Sequence, residues 1–149
     1  MVGTILSDEL INSTELRNNQ KEWLDRAYIS PVSIKSGRKR LVLLNRDEAR
    51  DMYTLNHYAE TIIQFCQEQF SGLGKSAIFP WVEYLTQEEI EEFKTELITT
   101  FVKASRRRKW HIIEDIIGDW AATAEAKTNP EIMELLATDV DKEEYTRVE

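Results

Sequence analysis

The feature that most constrains the fold is an apolar run at residues 41–44 (LVLL), in which apolar and polar residues do not alternate. Successive side chains of a β-strand point to opposite faces, so such a strand is apolar on both faces and needs cover on both. In a small sheet, one cover can be a helix of the same chain, and the other must be a further layer or a second subunit. The run therefore predicts a homodimer with an interface that includes Leu41, Val42, Leu43 and Leu44.

This run is the second strand of a predicted hairpin. Residues 31–35 alternate between apolar and polar side chains, which is typical of a half-buried strand. Gly37 lies between the two runs and can supply the positive φ that a tight turn requires. A further short strand is predicted at residues 3–6 (GTIL), at the edge of the sheet.

Helical patterns account for most of the remaining chain. Capping boxes at residues 12–15 and 86–89 predict two helix starts. The first helix should end near Tyr28, because Pro31 pushes the residue before it away from helical angles. Apolar residues at helical spacing predict further helices over residues 47–69, 90–109, 110–128 and 131–137.

We therefore expect an α+β fold. A small antiparallel sheet with helices should form an N-terminal dimerisation domain over residues 1–70. Two glycines and a proline interrupt the helical pattern at residues 71–80, which predicts a linker. A mainly helical region should follow at residues 81–149.

Charge is unevenly distributed between the two ends of the chain. The net charge is −8, of which residues 1–50 contribute +2 and residues 51–149 contribute −10. Such an asymmetry indicates partners of opposite charge. No run approaches the ~20 apolar residues of a membrane span, and the first ten residues lack the cationic start of a secretory signal. Because the lone Cys66 also fits a reducing compartment, we expect a cytoplasmic protein without a membrane partner.

No pattern in the sequence indicates catalysis. The string GLGKS at residues 72–76 resembles part of a nucleotide phosphate-binding loop, but Gln69 stands where that motif requires glycine. His57, Cys66 and His111 lie on separate segments without the spacing of metal ligands. We therefore expect no enzyme activity, no metal and no cofactor.

Two basic clusters remain as candidates for binding. Four cations are predicted at the hairpin turn, beside a helix that presents polar and basic side chains; they are Lys35, Arg38, Lys39 and Arg40, next to Arg17, Asn18 and Lys21. Lys and Arg contact phosphates, and Arg and Asn also read base edges, so DNA binding is one interpretation and a solvated turn is the other. The second cluster, at residues 106–109, is typical of a helix C-terminus, with phosphate contact as the alternative.

Residues 12–48 (NSTELRNNQKEWLDRAYISPVSIKSGRKRLVLLNRDE) resemble the N-terminal domain of the Phd/YefM (prevent-host-death) antitoxin family. The shared frame is a Ser-x-Glu-Leu-Arg-x-Asn helix start, a Pro-Val-x-Ile strand, a basic Gly-Arg turn, an apolar strand and an acid-led helix. The resemblance covers about residues 1–70 and implies an α+β dimer that binds operator DNA. It implicates Arg17, Asn18, Lys35, Arg38 and Lys39 in DNA binding.

Residues 119–137 (DWAATAEAKTNPEIMELLA) resemble the toxin-neutralising segment of the same family. The resemblance implies an amphipathic helix that lies in a groove of a small, basic, RNA-targeting toxin. It implies toxin contacts at Trp120, Ile132, Met133 and Leu136. The alternative is that Trp120 and its apolar neighbours pack against residues 90–102 in a helical bundle within the chain.

Together these patterns predict an antitoxin of a type II toxin–antitoxin system that neutralises its toxin and represses its own operon. The DNA-binding form is expected to be a homodimer, with a higher oligomer as the alternative. The chain departs from the family at the turn, where family members often have two Arg directly before the glycine, whereas Lys35 and Ser36 precede Gly37 here. This departure favours the alternative function, a Phd/YefM-like interaction module that dimerises and binds a protein partner without binding DNA.

Overall fold

The computed structural model describes residues 10–143, which form three β-strands, six α-helices and one 3-10 helix. In chain order the elements are β1 (Leu10–Asn12), α1 (Ser13–Asn18), α2 (Gln20–Ile29), β2 (Val32–Ser36), β3 (Lys39–Leu43), α3 (Arg46–Phe70), the 3-10 helix (Pro80–Tyr84), α4 (Gln87–Arg107), α5 (His111–Thr128) and α6 (Pro130–Glu143). The chain divides within α3 into two compact units, the first ending at Thr54 and the second beginning at Leu55. The strand predicted at residues 3–6 lies outside the described residues. No helix among the described residues is long and apolar enough to cross a membrane.

The first unit contains a three-stranded sheet with the order β1-β2-β3. β2 and β3 pair antiparallel, with Val32 opposite Leu43, whereas β1 runs parallel to β2, with Ile11 opposite Ile34. The fold is therefore α+β as predicted, but the sheet is mixed and the prediction of an antiparallel sheet is wrong for β1. The reason is that α1 and α2 connect β1 to β2, and a helical crossover returns the chain in its original direction.

One face of the sheet forms the core of the first unit. Ile11, Val32 and Ile34 are buried there together with Ala27 of α2, and Trp23 packs against them. The single helix predicted for this region is two helices, because Asn19 leaves the helical conformation, with a φ of −128° and a ψ of 44°. Asparagine favours such interruptions, since its side chain competes for backbone hydrogen bonds.

The second unit is a helical bundle with an aromatic core. Its buried residues come from α3, α4, α5, the 3-10 helix and the residues on either side of it, Phe79 and Leu85. Phe93 of α4 is fully buried, and its ring centroid lies 5.1–5.8 Å from those of four other aromatic rings, namely Phe65, Phe79, Trp81 and Trp120. Such separations are typical of favourable aromatic pairs, so these rings hold the helices together.

Residues 71–80, the predicted linker, pack into the second unit. Glycines at positive φ turn the chain directly after α3. The Glu68 carboxylate then accepts hydrogen bonds from the backbone N–H of Ala77, at 2.9 Å, and from the hydroxyl of Ser76. Phe79 follows and is only 6% exposed in the aromatic core. The segment therefore closes one side of the helical bundle.

Candidate nucleic-acid and protein-binding surfaces

The β2–β3 turn carries the predicted DNA-binding cations of the hairpin. Ser36 pairs with Lys39, so the turn has only two central residues, Gly37 and Arg38. The φ of Gly37 is +60°, and that of Arg38 is not positive, which is the pattern of a type II′ hairpin turn. The positive φ predicted for Gly37 is confirmed, and it places Arg38 at the tip of the hairpin.

Two cations of this hairpin stand directly opposite each other. Lys35 of β2 pairs with Arg40 of β3. Both side chains lie on the face of the sheet away from the core, because Ile34, the residue before Lys35, is buried on the core face. Like charges in this position destabilise a strand pair. A polyanion bound to the hairpin would remove that repulsion.

The cations of the hairpin also have no acidic partner within residues 10–143. Lys35, Arg38, Lys39 and Arg40 are all exposed. Within residues 10–143, none of these four side chains takes part in an ion pair. Their charge is therefore not neutralised by the described part of the chain.

Helix α1 begins at the same end of the sheet as the hairpin turn. β1 ends at Asn12, which pairs with Lys35, and α1 follows immediately. The predicted capping box is present, since the Asn12 side chain accepts a hydrogen bond from the backbone N–H of Glu15 at 2.8 Å. Arg17 and Asn18 lie exposed in the last turn of this short helix. The structure thus brings the start of the predicted helix and the β2–β3 hairpin turn to one end of the first unit.

Strand β3, the site of the predicted dimer interface, is an edge strand. Leu41 is 53% exposed at the margin of the core face, and Leu43 is half-buried against the core. Val42 points to the opposite face, where it is 39% exposed. Leu44, just beyond the strand, is half-buried. The core face of β3 therefore carries Leu41 and Leu43, whereas the opposite face carries Val42 beside Arg40, and the dimer interface itself stays a prediction.

Trp120, a predicted toxin contact, packs inside the second unit. Its ring lies 5.8 Å from that of Phe93, and its indole N–H donates a hydrogen bond to the Glu96 carboxylate at 2.7 Å. Both partners belong to α4, within the range 90–102 that the bundle alternative named. The arrangement of Trp120 is therefore that of the helical bundle rather than of an isolated binding helix.

Helix α5 is attached to its neighbours near both of its ends. Near its start, Glu114 accepts a hydrogen bond from the hydroxyl of Tyr58 in α3. Burial of Tyr58 raises its pKa to about 12, and the Glu114 carboxylate adds to this effect. Near its end, Lys127 donates to Glu89 in the first turn of α4, and this bond lowers the pKa of Glu89. These contacts hold the segment between them, which contains Trp120, in the bundle.

The remaining predicted toxin contacts belong to α6. This helix is longer than predicted, since it continues to Glu143. Ile132 is half-buried, whereas Met133 is 48% exposed and Leu135 is 67% exposed. The side chain of Leu136 lies outside the described part of the structure. α6 therefore presents exposed apolar side chains, in contrast to Trp120.

Two sets of cations from the sequence were given no assigned DNA contact. Arg40 belongs to the basic hairpin cluster, and the register places it opposite Lys35. The cations at residues 106–109 lie at the turn between α4 and α5, where the sequence pattern favoured an ordinary helix C-terminus over phosphate contact. Within residues 10–143, no three His, Cys, Asp or Glu side chains are placed together to hold a metal ion.

No family model, curated protein or solved structure shows a significant match to the chain. The basic end of the first unit and the exposed side chains of α6 are therefore interpreted from their own chemistry.

Proposed function

We propose that the protein is an antitoxin of a type II toxin–antitoxin system, which neutralises a cognate toxin by direct binding and represses its own operon as a DNA-binding dimer. The observation that carries the proposal is the exposed hairpin tip, on which Lys35 and Arg40 face each other without acidic partners among the described residues. A strand pair that keeps like charges together loses stability in the free protein. Binding of a phosphate backbone offsets that loss, because each cation then has a counter-charge.

The DNA-binding role divides between two kinds of side chain. Arg38 and Lys39 at the turn suit phosphate contacts, which position a protein on the duplex. Arg17 and Asn18 on α1 have the side-chain types that recognise guanine and adenine edges in the major groove. In a dimer each surface occurs twice, so the operator is expected to contain two related half-sites.

The toxin-binding role is assigned to α6. Met133 and Leu135 are exposed apolar side chains on a helix with five acids and one lysine, and such a helix suits a groove that has an apolar floor and a basic rim. Trp120 is left out of this surface, because its ring and its indole N–H are already occupied within the bundle. The cognate partner is proposed to be small, basic and directed at RNA.

The DNA-binding role is tested with a labelled duplex that carries the stretch immediately upstream of the gene. Arg17→Ala and Arg38→Ala should each weaken binding, and Arg38→Ala should reduce the slope of log K against log salt by about 0.9 if it removes one phosphate contact. Arg50→Ala is the matched control, since Arg50 is an exposed cation of the first unit that pairs with Asp47 at 3.5 Å. Unchanged affinity and slope in both test variants would refute DNA binding by this surface.

The toxin-binding role is tested by co-expression with the product of the adjacent reading frame. A compact single-domain partner of about 80–130 residues is expected there. The partner should arrest growth when it is expressed alone, and it should co-purify with this chain, which should restore growth. Changing both Met133 and Leu135 of this chain to Lys should abolish the co-purification and the restored growth. If the partner neither co-purifies nor is neutralised by the unaltered chain, the antitoxin assignment is wrong.

A second candidate function is an interaction module that dimerises and binds a protein without binding DNA. It is favoured by the turn sequence, in which Lys35 and Ser36 precede Gly37 in place of an Arg pair. The same two experiments separate the candidates. Co-purification of the partner together with no binding to the upstream duplex would select the interaction module.

A further inference from the structure

We infer that the turn between α4 and α5 is a second, sequence-independent contact site for the phosphate backbone of a nucleic acid. The site, here called the basic turn, consists of Lys103, Arg106, Arg107, Arg108 and Lys109. It lies in the second unit and goes beyond the proposed function, which places DNA binding in the first unit and toxin binding on α6.

Charge is segregated unusually strongly at the basic turn. Residues 97–113 contain these five cations and no acidic residue, in a chain with 27 acids among 149 residues. Along α4, Glu96 is seven residues before Lys103, which corresponds to about 10 Å of helix. This separation exceeds the screening length of about 8 Å at physiological salt, so the nearest preceding acid on the helix weakens the local potential only slightly. Glu114, the first acid after the turn, already accepts the hydrogen bond from Tyr58.

The cations of the basic turn are presented to solvent together. Lys103, Arg106 and Arg107 are spaced three and four residues apart, so they share one face of α4. Ala104, by contrast, is fully buried on the core side of the same turn. The side chains of Lys103, Arg106, Arg107 and Lys109 are exposed, and none of these four forms an ion pair within the described residues.

Backbone strain points to the same place. Arg108 caps α4 in the left-handed conformation, with a φ of 53°, and its N–H donates to the carbonyl of Ala104. Glycine or asparagine is the usual residue at this position, because other side chains clash there with the backbone. Among the described residues, Arg108 is the one non-glycine residue with positive φ. The chain therefore places a cation in a backbone conformation that glycine adopts more readily.

The surroundings of the basic turn favour a nucleic acid over a membrane or an acidic peptide. A membrane-bound segment needs exposed apolar anchors beside its cations, and a peptide site needs a central apolar contact. The aromatic side chains that flank the turn, Phe101 and Trp110, are packed against the core, and the exposed apolar residues of this stretch, Ile98 and Val102, are aliphatic and only 42% and 40% exposed. Three of the five cations are arginines, whose planar guanidinium groups match phosphate oxygens in pairs. A row of phosphates fits this combination best.

The test measures binding of the full chain to two labelled duplexes as a function of salt. One duplex carries the stretch upstream of the gene and the other has a scrambled sequence of the same length. Arg106→Ala with Arg107→Ala should lower the magnitude of the log–log salt slope by about 1.8, and Arg108→Gly should lower it by about 0.9, equally on both duplexes. Lys75→Ala is the control, since Lys75 is an exposed cation of the same unit, and it should leave the slope unchanged.

The double variant keeps the test independent of folding. Because Arg106 and Arg107 are exposed and form no ion pair within the described residues, its melting temperature should stay close to that of the unaltered chain while its binding weakens. The inference is overturned if both basic-turn variants bind the duplexes with unchanged slope, or if the unaltered chain binds neither duplex. It is also overturned if these variants lose binding only to vesicles of anionic phospholipid. Failure of the proposed DNA binding by the first unit is detected separately, by unchanged affinity and salt slope in the Arg17→Ala and Arg38→Ala variants.

Discussion

The strongest test of the second unit concerns Phe79, which lies at the end of the segment that the sequence predicts to be a linker. Phe79 is 6% exposed, and its ring meets those of Phe65 and Phe93 edge-on at 5.2 and 5.4 Å. Burial of a phenylalanine side chain contributes about 1.5–3 kcal/mol, and each aromatic pair adds about 0.5–1.5 kcal/mol. These contributions agree with the cost of about 3–5 kcal/mol typical of Phe→Ala in a core. We therefore expect Phe79→Ala to destabilise the second unit by that amount.

The assay is thermal and urea unfolding of the full chain, followed by circular dichroism at helical wavelengths. A loss of about 3 kcal/mol corresponds to a fall of at least about 12 °C in melting temperature for a unit of this size. Leu73→Ala is the matched control, because Leu73 belongs to the same segment but is 74% exposed, and it should change stability by less than about 0.5 kcal/mol. If the two variants unfold alike, Phe79 is not part of the core and residues 71–80 are a linker after all.

Three further predictions concern the hairpin and the ties of α5. Gly37→Ala should destabilise the first unit by about 1 kcal/mol in denaturant unfolding, because alanine is strained at a φ of +60°; an unchanged midpoint would contradict the type II′ turn. Lys127→Met should lower stability at neutral pH, because it removes the hydrogen bond that lowers the pKa of Glu89. The difference from the unaltered chain should shrink as the pH falls below 4.5, since the bond stabilises the fold only while the Glu89 carboxylate is ionised. A difference in stability that does not depend on pH would refute this. Because the pKa of Tyr58 is raised from 10.0 to about 12, the contribution of its protonated hydroxyl to folding stability is complete below pH 10 and is lost between those two values. Tyr58→Phe should therefore reduce the loss of stability in that pH range. Equal alkaline sensitivity of both proteins would contradict the hydrogen bond to Glu114.

Sequence reasoning succeeded where the signal is local. Both capping boxes are present, at residues 12–15 and 86–89, because each depends on side chains only three residues apart. The hairpin turn at Gly37 could also be predicted, since a glycine between two apolar runs leaves few alternatives to a tight turn. These features define the ends of helices and strands but say little about their partners.

Sequence reasoning failed where partners are distant along the chain. The parallel pairing of Ile11 with Ile34 joins residues separated by two helices, and apolar periodicity does not encode that direction. The environment of Trp120 depends on Phe93 and Glu96, so an amphipathic pattern alone could not distinguish a core residue from a binding residue. Glycine and proline at residues 71–80 likewise mark a change of direction in the chain and do not encode whether the segment packs.

The opposed cations Lys35 and Arg40 have a consequence for how the first unit responds to its solvent. Added salt screens their repulsion, so the free hairpin should become more stable as ionic strength rises. The same salt weakens any contact between the hairpin and phosphate. Folding and binding by this surface therefore respond to ionic strength in opposite directions. At low salt the free hairpin is less stable, but it binds phosphate more tightly.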